Sequence, residues 1–470
     1  MSQSPHPERS GASISPAAIQ NLSAGDLARR TVERRAVEAA IWGMPLVNSD
    51  AMRQAYFRDA GANYNDICYF SKPADWRFQV TTPNASTNYV YFNFNLRDGP
   101  VVVEIPAAAG AGLLGSMVDA WDEPMADIGP AGEDQGKGGK YLLLPPTFVG
   151  EPPPGYFVLK YPTFNGYALY RAIREGLSEA DVQAALALVK KLRVYPLAQA
   201  ASPPDQRFID LYGKRFEGLP HFDERFFESL NRMVQEEPVR PQDVMAMGML
   251  KSIGIEKGKE FNPNSETQSI LKSAALEAHA DFVESLTSYS HPWWPDRRWS
   301  PPDPTGVKTG FTYLTEDKLD LDARGFANFA AFAMPKKTGK SLVYLFTFRD
   351  GRGERLSGER SYTLRVPAKV PAKQYWSMIV YDVETAAFVR EAPVLTLDSY
   401  NQAMERNADG SVDIYFGPEA PPGKGTNWIY TAAGKAFFPA MRFYDPDTQL
   451  FDRTWKLPDL EQIEPGPRAH

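Results

Sequence analysis

The sequence predicts a mainly β protein with a helical middle, organised as two β units. Three observations predict it. The 470-residue chain contains 40 prolines, too many for long helices throughout, because proline lacks the N–H that an interior helical turn needs. From Tyr89 to Leu96 the chain alternates strictly, with Val90, Phe92, Phe94 and Leu96 on one face and Tyr89, Tyr91, Asn93 and Asn95 on the other. Between about 201 and 300 alternation gives way to helical spacing, and from about 310 it returns.

In chain order, residues 1–23 are polar and small and read as a tail. A helix is predicted over 24–44, where Ala36, Val37, Ala40, Ile41 and Met44 recur at helical spacing and Pro45 should end it. The first β unit takes up the rest of 24–200. Its strands are predicted at 89–96, 101–105, 117–120, 141–144 and 157–161, with Asp98-Gly99 as a hairpin turn. Ser178 and Asp181 form a capping-box-like helix start. The region 201–305 is read as a helical linker, with Ile270, Leu271, Ala274, Ala275, Ala278, Phe282 and Leu286 as its clearest apolar stripe. The second β unit, 306–470, has strands predicted at 342–348, 362–366, 376–382, 412–416 and 437–444.

Composition excludes several functions. The net charge of −7 gives no general electrostatic footprint for nucleic acid or anionic lipid. One cysteine, Cys68, forbids an internal disulfide framework, and five histidines leave little room for a multi-His metal centre. No metal or other cofactor is expected. No run of 18 apolar residues is present, so no membrane span is expected, and with no secretory signal visible the location is read as cytoplasmic. There is no Gly-x-Ser-x-Gly, His-Glu-x-x-His or Cys-x-x-Cys motif. Thr338-Gly339-Lys340-Ser341 resembles the end of a phosphate loop, but Met334 stands where its first glycine belongs.

Carboxylates, amides and indoles remain as working groups. Asp119-Ala120-Trp121-Asp122 is the core of the densest acidic–aromatic patch. Two carboxylates beside an apolar ring suit acid–base work, since the ring raises one pKa while the other carboxylate stays ionised. The plainer reading is a strand end with solvated acids and a core tryptophan. Asn84, Thr87, Asn88 and Tyr89 could line a polar pocket with Trp121, or Asn84 and Thr87 could satisfy turn backbone groups beside Pro83. Asn427, Trp428 and Arg442, with Tyr444, form a candidate second polar site or a lock between strands. The stretch from His291 to Trp299 reads as a stacking platform or as a proline-fixed connector.

The ordered motifs resemble a known family. Ile41-Trp42-Gly43-Met44-Pro45, Thr82-Pro83-Asn84, Asp98-Gly99-Pro100 and Val118-Asp119-Ala120-Trp121 match in the first part. Ile253-Gly254-Ile255-Glu256-Lys257-Gly258 matches in the middle, and Tyr375-Trp376-Ser377, Asn427-Trp428 and Arg442-Phe443-Tyr444 match in the last. The chain resembles bacterial two-domain proteins built from domains of unknown function 1254 and 1214, over roughly 35–460. That resemblance implies two jelly-roll-like antiparallel β-sandwich domains and no assigned activity.

Two functions follow as expectations. One is a hydrolase or lyase acting on a polar small molecule or carbohydrate through Asp119 and Asp122. The alternative is a non-catalytic ligand- or partner-binding protein. The expected partners are a small-molecule or carbohydrate ligand and, at most, further copies of the same chain.

Overall fold

The computed structural model describes residues 22–464 apart from 175, 177, 289, 303–310 and 338–341. Most of the expected tail and the Thr338–Ser341 segment therefore lie outside the described residues. Among the described residues seven helices form: α1 (Ala24–Arg58), α2 (Glu179–Val189), α3 (Glu224–Glu236), α4 (Val244–Leu250), α5 (Ser265–Ser288), α6 (Leu321–Ala330) and α7 (Thr448–Phe451).

Helix α1 opens with a capping box, Ser23 accepting from Asp26 N and Asp26 accepting from Ser23 N. It does not stop at Pro45. Proline costs the helix its bond to the Ile41 carbonyl, and α6 covers the gap. Gly325 approaches so closely that a Cβ there would stand 3.0 Å from Ile41 O. Arg324 Nη2 donates to the next carbonyl, Trp42 O, at 2.9 Å. Tertiary partners that local sequence does not reveal pack against the break. Eight residues after the proline, Arg53 joins Asp50 at 2.7 Å, and Asp50 also accepts from Ser229 and Arg232 of α3. With Asp50 fully buried, this network fixes α1 against α3.

The first β unit contains β1 (Ile67–Tyr69), β2 (Phe78–Gln79), β3 (Asn88–Asn95), β4 (Val101–Ile105), β5 (Ala111–Asp119), β6 (Pro124–Ile128), β7 (Gly139–Leu144), β8 (Phe157–Lys160), β9 (Asn165–Arg174), β10 (Arg193–Pro196), β11 (Phe208–Asp210) and β12 (Phe216–Glu217). They form a six-stranded sheet in the order β11-β1-β3-β9-β5-β6, a four-stranded sheet β10-β4-β7-β8 and the pair β12-β2. Val90, Phe92 and Phe94 of the first sheet meet Val101, Val103, Tyr141 and Leu143 of the second in one buried core. The alternation read from sequence is therefore the true one.

The second unit contains β13 (Leu342–Phe346), β14 (Tyr362–Val366), β15 (Ala372–Asp382), β16 (Thr396–Asp398), β17 (Val412–Gly417), β18 (Trp428–Tyr430), β19 (Phe437–Pro446) and β20 (Glu461–Gln462). Its sheets run β13-β19-β15-β16 and β18-β17-β14-β20.

Three expectations need correction. The sheets are mixed, not wholly antiparallel: β1–β11, β2–β12, β7–β8 and β17–β18 are parallel pairs. Each such pair is joined by a long crossover, which lets the returning strand enter in the same sense. The middle region is not only helical, since β11 and β12 lie in it and complete sheets of the first unit. Helix α6 lies within 306–470, which the sequence assigned to a β unit. By contrast, the Ser178 cap of α2 and the buried stripe of α5 form as read.

Candidate functional site

The second face of the six-stranded sheet carries the chemistry. On β3 it presents Tyr89, Tyr91 and Asn93; on β9, Tyr167, Leu169 and Arg171. A polar strand face ordinarily meets water. Here α1 covers part of it, with Tyr56 packed edge-on to Tyr91 at 5.7 Å, and the second β unit covers the rest.

The turn before β3 makes the junction. Thr82, held at φ 37°, donates from its hydroxyl to Ala330 O and from its N–H to Ala386 O. Its own carbonyl accepts from Arg442 Nη2 at 2.7 Å. The Tyr381 hydroxyl donates to Pro83 O at 2.5 Å. Asn84 Oδ1 accepts from Ser86 N and Thr87 N, which is the turn-satisfying role read from sequence. Its Nδ2 points the other way and donates to the hydroxyls of Tyr375 and Tyr444 in the second unit. One asparagine thus closes its own turn and docks it 360 residues away in sequence.

A small cleft lies beside this junction. Its walls include Thr82, Tyr89, Arg171 and Tyr344, with the 331–335 segment across from them. The room inside is about 30 Å³ for the centre of a water-sized sphere, enough for a few waters or one small ion. Arg171 stacks over the Tyr89 ring at 5.3 Å and makes no hydrogen bond or ion pair among the described residues. Arg442, fully buried, lies 4.5 Å from the centre of the Tyr344 ring. Its Nε and Nη1 have no partner among the described residues. Burial acts to lower the pKa of both guanidiniums, but the surrounding phenols of Tyr344, Tyr89 and Tyr444 outweigh it and hold both raised. Two cations thus face a ring of tyrosines with no carboxylate among their main electrostatic partners.

The carboxylate pair takes two separate environments, and neither acid is solvated, since both are fully buried. Asp119 Oδ1 accepts from Trp121 N at 2.8 Å and Glu123 N at 3.0 Å, so it closes its own turn. Burial, reinforced by Glu123, pushes its carboxyl well above the usual range. Asp122, in the left-handed region at φ 61°, accepts from Tyr167 at 2.5 Å and from Asn48 at 3.5 Å. Burial pushes it up to about 7. Trp121 is sandwiched between Arg240 at 3.9 Å and Arg324 at 4.9 Å, away from the cleft lining.

The remaining residues divide similarly. Asn88 donates to Phe70 O, and Thr87 is buried beside the turn. Asn427 bonds the backbone of Glu405 and Asp413, and Trp428 donates to Gly417 O, so both hold a sheet edge. Only Arg442 of that trio reaches the junction. Trp294 and Trp299 are fully buried, and Trp299 donates to Pro458 O, as a connector would have them. Among the described residues no group of three His, Cys, Asp or Glu side chains could hold a metal ion. Sequence reasoning missed Arg171, Tyr344, Tyr375 and Tyr381, although alternation through Tyr167, Leu169 and Arg171 would have put that arginine on the face of Tyr89.

Residues 64–196 match the family model described as protein of unknown function DUF1254, and residues 341–448 match that of DUF1214. The chain belongs to the DUF1254–DUF1214 proteins. The cleft of this DUF1254–DUF1214 protein lies between the two matched parts, drawing Tyr89 and Arg171 from one and Tyr344 from the other. Two solved structures resemble it. The VPA0106 protein from Vibrio parahaemolyticus aligns with TM-score 0.55 at 17% identity, covering 92% of this chain and 100% of its own. An uncharacterised protein from Burkholderia cenocepacia aligns with TM-score 0.41 at 12% identity, covering 92% and 94%. The Vibrio likeness is one of fold. No protein of curated function matches the chain. No described helix is long and apolar enough to cross a membrane.

Proposed function

We propose that the protein binds a small anionic molecule, carboxylate- or phosphate-bearing, with its charged head in the cleft between the two β units. One observation carries the reading: the Arg171 side chain, without acidic partner or hydrogen bond among the described residues, lines a narrow and largely apolar cleft. A cation partly withdrawn from water and left unpaired is costly, and a bound oxyanion reduces that cost while using the planar donor fork of arginine. Tyr89, Tyr344 and Arg442 complete the surround, and Asn84 holds the turn that shapes it. This is the ligand-binding alternative of the sequence, now given a charge and a place. In this reading the chain is two β-sandwich domains of jelly-roll type, 24–200 and 306–470, with 201–305 bracing them and lending β11 and β12 to the sheets of the first. Calorimetric titration with acetate and with phosphate in low-chloride buffer tests it. Saturable binding that Arg171→Gln abolishes supports the reading; no binding, or equal binding by the variant, rejects it.

A second reading keeps an enzyme, a hydrolase or lyase using Asp122 as its acid. What favours it is a carboxyl pushed up to about 7 and held by Tyr167, a group able to carry a proton at neutral pH. Asp119 would then position the turn. Turnover of any substrate that survives Asp122→Asn rejects this role.

A further inference from the structure

A hydrogen-bond chain runs from the Asn84 turn to the cleft. Asn84 Oδ1 is fixed as an acceptor by two backbone N–H groups, so its amide nitrogen must face Tyr444 and donate to that hydroxyl. The Tyr444 hydroxyl, having accepted, has two oxygens within reach, that of Tyr375 and that of Tyr344 3.4 Å away, and either hydroxyl of the Tyr344–Tyr444 pair can be the donor. The chain ends there: the Tyr344 hydroxyl has no other partner among the described residues.

Two guanidiniums stand about the same side chain. Arg442 lies over the Tyr344 ring, and Arg171 stands across the cleft on β9. The groups that face Tyr344 from each packed element are Tyr89 on β3, Arg171 on β9, Tyr375 and Tyr381 on β15, and Arg442 and Tyr444 on β19. None is a carboxylate. Asp398 on β16 accepts from Tyr400 N and faces Arg174 instead. Lys336 and Lys337, on the segment that closes the cleft, are bonded to Met125 O and Ala131 O.

We infer that anion binding in this cleft is coupled to protonation of Tyr344: its phenolate and a bound oxyanion share the cleft and compete for the Arg171 guanidinium, so the ligand enters together with one proton. The inference rests on the anion-binding reading above. With the cleft empty, Tyr344 is the phenol that shares the cleft wall with Arg171, while Arg442 Nη2 is already bonded to the Tyr381 hydroxyl. When a carboxylate or phosphate oxygen takes a place beside Arg171, the Tyr344 oxygen holds its proton and turns donor toward the ligand. The electrostatics agree in direction. Burial acts to raise the Tyr344 pKa, yet Arg171 and Arg442 overcome it and bring it below the ordinary phenol value. Burial instead holds Tyr375, Tyr381 and Tyr444 above it.

The sign follows from linkage. Below the Tyr344 titration the phenol is already protonated, and affinity does not change with pH. Above it each bound anion must bring a proton, so affinity falls about tenfold per pH unit. The experiment titrates acetate into the full-length protein from pH 6 to 10, with Tyr344→Phe in parallel, and follows phenolate absorbance near 295 nm. The expected result is a falling wild-type affinity, a flat Tyr344→Phe affinity, and one low-titrating phenol that disappears in the variant and moves up with acetate. Identical pH dependence in the two proteins, or a phenolate signal indifferent to acetate, overturns the coupling while leaving anion binding intact. Failure of acetate to bind at every pH overturns the anion-binding reading itself, and the coupling with it.

Discussion

Arg171 stands directly across the β3–β9 ladder from Tyr89, its guanidinium 5.3 Å from the centre of that ring, and neither hydrogen-bonds nor ion-pairs with any described residue. The arrangement costs stability in the empty protein and returns it when an anion binds. At pH 6.5 in low-salt buffer free of small carboxylates and phosphates, Arg171→Gln should be more stable than wild type by about 1 kcal/mol or more, as expected where an unpaired interior charge is neutralised. Adding acetate should stabilise wild type alone. Urea unfolding with and without acetate checks both parts.

Asp122 sets a pH dependence of folding. Its carboxyl keeps its proton up to about 7 in the folded protein, while an unfolded aspartate loses it near its ordinary value of 3.8. A group raised on folding contributes stability that is complete below the unfolded value and is lost as pH climbs to the folded one. Asp122→Asn should therefore match wild type near pH 4 and exceed it at pH 8 by on the order of 4 kcal/mol, each tenfold difference in proton affinity being worth about 1.4 kcal/mol. Unfolding curves at the two pH values decide the matter.

Asp50 behaves oppositely. It is buried among Arg53, Arg232 and Ser229, and its carboxyl is lowered because these partners outweigh the effect of burial. Asp50→Ala should destabilise the protein by about 3–5 kcal/mol, since it leaves the Arg53 guanidinium buried beside a gap. The loss should appear in denaturant midpoints at pH 7.

Asn84 is the dock between the units. Asn84→Ala removes acceptors for two backbone N–H groups and the donor to Tyr375 and Tyr444. A loss of about 2–3 kcal/mol is expected from the buried groups left unpaired. Hydrogen exchange should rise in residues 82–88 before it rises in the core of β3.

The regular parts of the fold were legible in the sequence, and the junction was hidden. Strict alternation at Tyr89–Leu96 assigned the faces correctly because the inner core admits only apolar side chains there. The Ser178 cap and the α5 stripe were legible because their physics is local. Pro45 misled because Gly325 and Arg324, which pack against the helix around it, lie some 280 residues further on. Strand β9 was missed because Ala168 and Ala172 are weak strand formers and mark no strand by composition. Among the site residues, Asn84 and Arg442 were each identified in separate candidate sites. That they meet at one junction is a tertiary fact, and the one local signal for Arg171 was its alternation with Tyr167 and Leu169.

Whether Arg171 lines an anion site between the two β units can be seen directly. Bromide has strong anomalous scattering and a single negative charge, so a crystal grown or soaked in sodium bromide locates such a site. An anomalous peak is expected in the cleft at hydrogen-bond distance from the Arg171 guanidinium, absent from Arg171→Gln crystals. Bromide bound elsewhere on the surface while the wild-type cleft holds only water would contradict it.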